Sequence, residues 1–220
     1  GASPRLTLFS QGGELRASLP AGHTSEVDGS SSVRFILKGA TLSAQTAADL
    51  SEPALDAHLA TLEAGGFNAL RLEFNHGQVL KAGVQGQELP RLAALAAKRG
   101  LLIILAARGL SVGSAHEAAA RPEALWYSAA VPIESVKQSW TSLAEGLCDA
   151  PENWNVVAAD LAHEPSGAAW GSGISGSDWK LGAEELGRHV LARCPRWLVL
   201  VQGVGERPGV VHVFLAVGGL

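Results

Sequence analysis

Apolar and polar positions along the chain change period in a regular way. Leu55, Leu59 and Leu62 recur at the spacing of one helix face. Ser51-Glu52-Pro53 precedes them as a capping residue with an early-turn proline, and Gly65-Gly66 follows as a stop. Residues 69–74 then read as a strand. A second helix carries Leu89, Leu92 and Leu95 and ends at Arg99-Gly100. It leads directly into Leu101-Leu102-Ile103-Ile104-Leu105, apolar at every position, as expected of a parallel strand covered on both faces. Ile133, Val136, Trp140, Leu143 and Leu147 mark a third helix, followed by a strand over 156–161. The fourth helix starts near Ser177-Asp178 and carries Trp179, Ala183, Leu186 and Val190, with a strand over 197–201 after it. Upstream, residues 33–38 read as the first strand, and 1–32 as an irregular segment or small hairpin. Residues 210–220 form a short, mostly apolar tail.

Five strands separated by four helices imply βα units and a parallel sheet. A doubly wound sheet and a (β/α) barrel both satisfy that pattern. The first would be marked by a glycine fingerprint after the first strand, and Gly39-Ala40-Thr41-Leu42 supplies none. The domain reading is therefore an N-terminal segment over 1–32 and a barrel-type domain over 33–220.

Composition narrows the function classes. The 220 residues carry a net charge of -4 with no basic run, which argues against a nucleic-acid partner. No apolar stretch approaches the roughly 20 residues that a membrane helix needs. The start, Gly1-Ala2-Ser3-Pro4-Arg5, has no apolar core of a signal peptide. Cys148 and Cys194 fall near two helix ends and read either as buried thiols or as a disulfide. No metal-ligand spacing or cofactor fingerprint is present, so neither metal nor cofactor is expected.

Candidate chemistry lies at the strand ends, where both architectures place their sites. Arg71 lies inside the second strand, with Glu73, Asn75 and His76 at its end; Arg108 follows the third, His163-Glu164-Pro165 the fourth, and Gln202 the fifth. Glu164 precedes a proline, which predicts extended backbone. Held dry at a barrel mouth, such an acid could protonate a leaving oxygen; otherwise it is a solvated loop carboxylate. A strand arginine facing a barrel interior needs a carboxylate, and Glu73 or Glu164 could serve Arg71. Asp160 reads as a structural acid. Asp160, His163 and Ser166 do not form a hydrolase triad, because strand neighbours face opposite ways and no nucleophile elbow exists. Trp140 and Trp197 read as packing. Trp170, in a glycine-rich loop, and Trp126 in the loop after the third strand could each stack on a sugar ring or anchor a loop.

The stretch from Val156 through Asp160-Leu161, His163-Glu164-Pro165 and Trp170-Gly171 to Asp178-Trp179 resembles the acid/base segment of family 5 glycoside hydrolases. Gly66-Phe67-Asn68-Ala69-Leu70-Arg71-Leu72 is similar to the family's Gly-Phe-Asn-x-x-Arg-Leu, and Leu125-Trp126-Tyr127 and Gly203-Val204-Gly205 add to the match. The resemblance implies a (β/α)8 TIM barrel that hydrolyses β-linked glucan with retention, in the manner of a cellulase-type endo-β-1,4-glucanase. It makes Glu164 the general acid/base, with Arg71 and His163 beside it. Trp170, Trp126, Arg108 and His76 would line a site for polysaccharide or oligosaccharide. It also implies a secreted protein without a cofactor. The sequence departs from the family pattern at His163 (Asn), Arg108 (His), Ala106 (Asp), Glu73 (Pro) and Gln202 (Glu). A full barrel runs to about 250 residues, and the family nucleophile lies on a seventh strand, so the resemblance spans about five of eight βα units. Exposed barrel edges would then suit a covering partner chain. The alternative is a non-catalytic barrel fragment, or a pseudoenzyme, that at most binds glycan.

Overall fold

The computed structural model describes residues 7–11, 14–82, 88–110, 125–165, 167–204 and 213–216. Gly1–Arg5, Ser166 and Gly205, among the residues discussed above, lie outside them. Three short strands, β1 (Leu8–Gln11), β2 (Glu14–Ser18) and β3 (Ser32–Arg34), form an antiparallel sheet in sequence order. A six-stranded sheet follows, also in sequence order: β4 (Gly39–Ser43), β5 (Ala69–Asn75), β6 (Leu102–Gly109), β7 (Val156–Asp160), β8 (Leu198–Gln202) and β9 (Val213–Ala216). Strands β4 to β8 run parallel, and β9 returns antiparallel to β8.

The helices are α1 (Ala44–Ala48), α2 (Glu52–Ala64), α3 (His76–Ala82), α4 (Leu89–Lys98), α5 (Ile133–Leu147) and α6 (Trp179–Arg193). They cover one face of the sheet. Leu55, Leu59, Val79, Leu92, Trp140 and Leu186 share a single core with Leu70, Leu72, Ile103, Leu105 and Val199. The alternate positions Ala69, Leu102, Ala158, Leu198 and Leu200 belong to a second core, with Leu8 and Ala17 of the small sheet. Helices on one face only, with the other face turned inward, are the arrangement of a (β/α)8 barrel and not of a doubly wound sheet. The described residues contain five of its parallel strands. The N-terminal sheet packs on the inward face at the beginnings of these strands.

The expected first strand over 33–38 is divided. Ser32–Arg34 pairs with β2, and the first parallel strand is Gly39–Ser43, which the reading above placed after the first strand. Glycine suits this register because a Cβ at Gly39 would stand 3.1 Å from the Ala69 carbonyl oxygen. Asn68 fixes the crossover, accepting from the Lys38 N–H and donating to the Ile36 carbonyl, each at 2.8 Å. The break between the two units thus falls between Arg34 and Gly39. Helices α1 and α3 and strand β9 are additions to the expected pattern. Cys148 and Cys194, at the C-terminal ends of α5 and α6, are joined as a disulfide, so the free-thiol alternative is dropped.

Candidate active site

The C-terminal ends of β5 to β8 converge on one charged cluster. Arg71, the third residue of β5, alternates inward with Ala69 and Glu73. Its Nη1 donates to Glu73 Oε1 at 2.7 Å, while Nε and Nη2 donate to Asp160 Oδ2 at 3.0 and 2.8 Å. Arg108 reaches Glu73 from β6, with Nη1 3.0 Å from both carboxylate oxygens. Gln202, the last residue of β8, donates from Nε2 to the same Asp160 oxygen at 2.7 Å. Two arginines therefore neutralise two buried carboxylates across adjacent strands, and the pairs are charge-assisted hydrogen bonds. Burial pushes the Asp160 carboxyl above its ordinary value, against the pull of Arg71.

His163 and Glu164 sit on top of this cluster, just past β7. The His163 N–H donates to the Ala107 carbonyl at 2.8 Å, which ties the segment to β6. His163 Nδ1 lies 3.2 Å from Arg71 Nη2. A guanidinium can only donate, so Nδ1 accepts and the proton of the neutral ring is on Nε2. Burial, reinforced by the positive charge of Arg71, lowers the His163 pKa and favours that neutral ring. Its Nε2 then faces Glu164 Oε2 at 3.8 Å.

Glu164 departs from two expectations. Its backbone is left-handed, with φ of 48°, and not extended. This is an uncommon conformation for a residue with a side chain, and more so before proline. The Glu164 N–H donates to Gln202 Oε1 at 3.1 Å. The carboxyl also stands in water, with a side chain 65% exposed. Strained non-glycine backbone of this kind collects at functional sites.

The aromatic candidates divide. Trp170 is 43% exposed in the loop after β7. Asp178 organises that loop: Oδ1 accepts from the Gly171 and Lys180 N–H groups, and Oδ2 from Gly173 N–H at 2.7 Å. Burial works to raise the Asp178 carboxyl, and these backbone donors outweigh it, holding its pKa low. Trp179 Nε1 donates to the Gln202 carbonyl at 2.6 Å, fastening the loop's far end to β8. Trp126 is buried, 5.2 Å from the Trp179 ring and packed on Gly182, so it anchors its loop and is removed from the binding set. His76 is removed as well. It begins α3, only 2% exposed, with Nδ1 2.9 Å from Ser139 Oγ and edge contacts to Phe74 and Trp140. Desolvation lowers its pKa to about 3.

The structure thus brings together Arg71, His163, Glu164 and Arg108, and adds two members. Asp160, read as structural, is the main partner of Arg71, and Gln202 links Asp160 to Glu164. Strand alternation was the signal for both, since it puts 71, 73, 108, 160 and 202 on one face. Among the described residues, no group of three or more His, Cys, Asp or Glu is arranged to hold a metal ion.

No family model matches the sequence. An endoglucanase of Paenibacillus polymyxa is 35% identical over 119 residues, 54% of this chain and 28% of that protein. The major extracellular endoglucanase of Xanthomonas campestris pv. campestris is 30% identical over 153 residues, 65% of this chain and 31% of that protein. The fold is close to that of a Pyrococcus horikoshii endocellulase solved with cellotetraose, with a TM-score of 0.69 over 92% of this chain and 58% of that one, at 21% identity. The chain spans less than a third of the length of the two curated relatives. It is similar in sequence to these two endoglucanases and shares, in part, the barrel fold of the endocellulase.

Proposed function

We propose that this chain carries the acid/base side of a retaining endo-β-1,4-glucanase site of the family 5 type, acting on β-linked glucan. The observation that supports this best is the presentation of Glu164 at the C-terminal end of a parallel strand, beside a histidine whose Nε2–H faces the same rim. In this reading Glu164 protonates the departing glycosidic oxygen and later takes the proton of the attacking water. His163 offers Nε2–H to a sugar hydroxyl, as the family's Asn does. Arg71 positions His163, and Trp170 stacks against a sugar ring. Arg108 holds Glu73 and, with its side chain 47% exposed, can reach glycan hydroxyls from β6.

The test is hydrolysis of carboxymethylcellulose by the wild-type chain and by Glu164→Gln, with cellotetraose binding measured by calorimetry. The substitution should lower the rate about 100- to 10,000-fold and change binding less than about threefold, since it removes a proton-transfer group and not a contact surface. Equal measurable rates for the two proteins, or no cellotetraose binding by either, would overturn the reading.

A further inference from the structure

Gln202 is 4% exposed, and both ends of its side-chain amide are engaged. Oε1 accepts from the Glu164 N–H at 3.1 Å, and Nε2 donates to Asp160 Oδ2 at 2.7 Å. The first partner can only donate and an ionised Asp160 can only accept, so the amide has one orientation. Its own carbonyl is held by Trp179 Nε1. A buried amide with both ends engaged thus meets the backbone of Glu164, a left-handed non-glycine residue that also precedes a proline.

We propose that Gln202 is a positioning residue: its amide holds the Glu164 backbone in the left-handed conformation and so sets where the carboxyl stands on the rim. The catalytic meaning of this role rests on the reading of Glu164 as acid/base; the structural part does not. Without the bond to Gln202, the pre-proline residue relaxes toward extended backbone, which swings its side chain away from His163. The chemistry also explains why an amide is used. A carboxylate at this position could accept from the Glu164 N–H, yet its second oxygen would meet Asp160 Oδ2 at 2.7 Å, two acceptors that need a proton between them. The charged and titratable groups facing that pair are Arg71 and Glu73 on β5, Arg108 on β6, and His163 and Glu164 after β7. Adding a carboxyl gives this set one more carboxyl group than before with no further cation to balance it, unless a proton is retained. The amide provides the same geometry at every pH.

Two variants of the full chain test this, each read by hydrogen exchange at the Glu164 amide and by carboxymethylcellulose hydrolysis across pH. Gln202→Leu should speed exchange at the Glu164 amide at least about tenfold. It should also lower kcat by on the order of 100-fold, with KM changed less than about threefold, the signature of a misplaced group and not of a lost binding contact. Gln202→Glu should match wild type in both readouts at acid pH and, as pH rises and the shared proton leaves, lose the protection of the Glu164 amide, which wild type keeps, and lose hydrolysis at a lower pH than wild type does. Because Gln202→Glu at acid pH keeps the fold, it separates positioning from general destabilisation. Unchanged Glu164 exchange in both variants at all pH values would overturn the proposal. So would a Gln202→Glu profile identical to wild type. If the wild-type chain hydrolyses no glucan, the exchange measurement alone decides the role of Gln202.

Discussion

The inward faces of the same four strands are built from opposite materials at their two ends. At the beginnings, Ala69, Leu102, Ala158 and Leu198 pack against Leu8 and Ala17 of the N-terminal sheet. At the ends, Arg71, Glu73, Arg108, Asp160 and Gln202 form a ring of buried ion pairs and hydrogen bonds. Only a few residues of each strand separate the two. Apolar packing at the first end stabilises in proportion to the area it buries, about 25 cal/mol per Å². Buried ion pairs are different. Their desolvation cost roughly offsets their attraction, so a charged ring is a poor source of stability and a good way to fix side chains in place. The contrast teaches that one end of the sheet holds the fold together while the other holds His163 and Glu164 in position.

The largest expected effect breaks the charged end. Arg71→Met leaves Asp160 and Glu73 without their shared cation, and removing one partner from a buried set costs about 3–5 kcal/mol. Arg108 still holds Glu73 and Gln202 still holds Asp160, so the loss should fall near the lower limit. Urea unfolding measures it. If a ring of this kind were assembled for stability, replacing Arg71, Glu73 and Asp160 together by apolar residues would cost still more. If it is assembled for position, the triple replacement should recover most of the stability of Arg71→Met while abolishing hydrolysis.

The next effect belongs to the opposite end. The Cys148–Cys194 disulfide joins the C-terminal ends of α5 and α6 across a separation of 46 residues. In a (β/α) barrel those helix ends lie on the face away from the site. Cys148→Ala combined with Cys194→Ala should lower stability by about 2–4 kcal/mol, read by denaturant titration with and without reductant. Hydrolysis at 25 °C should remain at the wild-type rate, because nothing in the rim cluster touches either sulfur. Loss of activity at constant fold would show that the two ends are coupled and would break the comparison.

Most of the parallel array was legible in the sequence, because the main helices keep one apolar face and β6, β7 and β8 begin with consecutive apolar positions. Residues 133–147 are the clearest case, matching α5 at both ends. The first strand was misjudged because β-type composition at 33–38 says nothing about which partner a strand takes. What selects Gly39–Ser43 is the close approach to Ala69, a tertiary fact. Motif and strand position put Arg71, His163 and Glu164 near the strand ends, and the structure brings the three together there. The Arg71–Asp160 pair spans 89 residues of sequence and could not be read from spacing. His76 and Trp126 failed for one reason: a polar or amphipathic side chain after a strand marks nearness to the rim, while burial depends on what packs above it. For His76 that is helix α3 itself, with Ser139 and Trp140 of α5.

The smallest effect uses this buried histidine to separate the two regions by pH. Burial lowers the His76 pKa from 6.5 to about 3 in the folded chain. Between those values the unfolded chain binds a proton that the folded chain refuses. Stability from this group is therefore full above pH 6.5 and falls as pH drops toward 3, with a slope of about 1.4 kcal/mol per pH unit. Between pH 6.5 and pH 5 the loss should reach about 2 kcal/mol. This window lies above the ordinary carboxylate range, so it reports histidines; His163 and His189, whose pKa values are also lowered, act in the same direction. His76→Gln keeps a partner for Ser139 and removes the titration, and should flatten the acid limb of stability without altering the pH profile of hydrolysis. His163→Asn, which substitutes the family's residue, should flatten the limb less, since His163 is only partly buried, yet shift the hydrolysis profile, because its ring touches Arg71 and faces Glu164. If His76→Gln moved the activity profile as well, α3 would have to be counted with the rim.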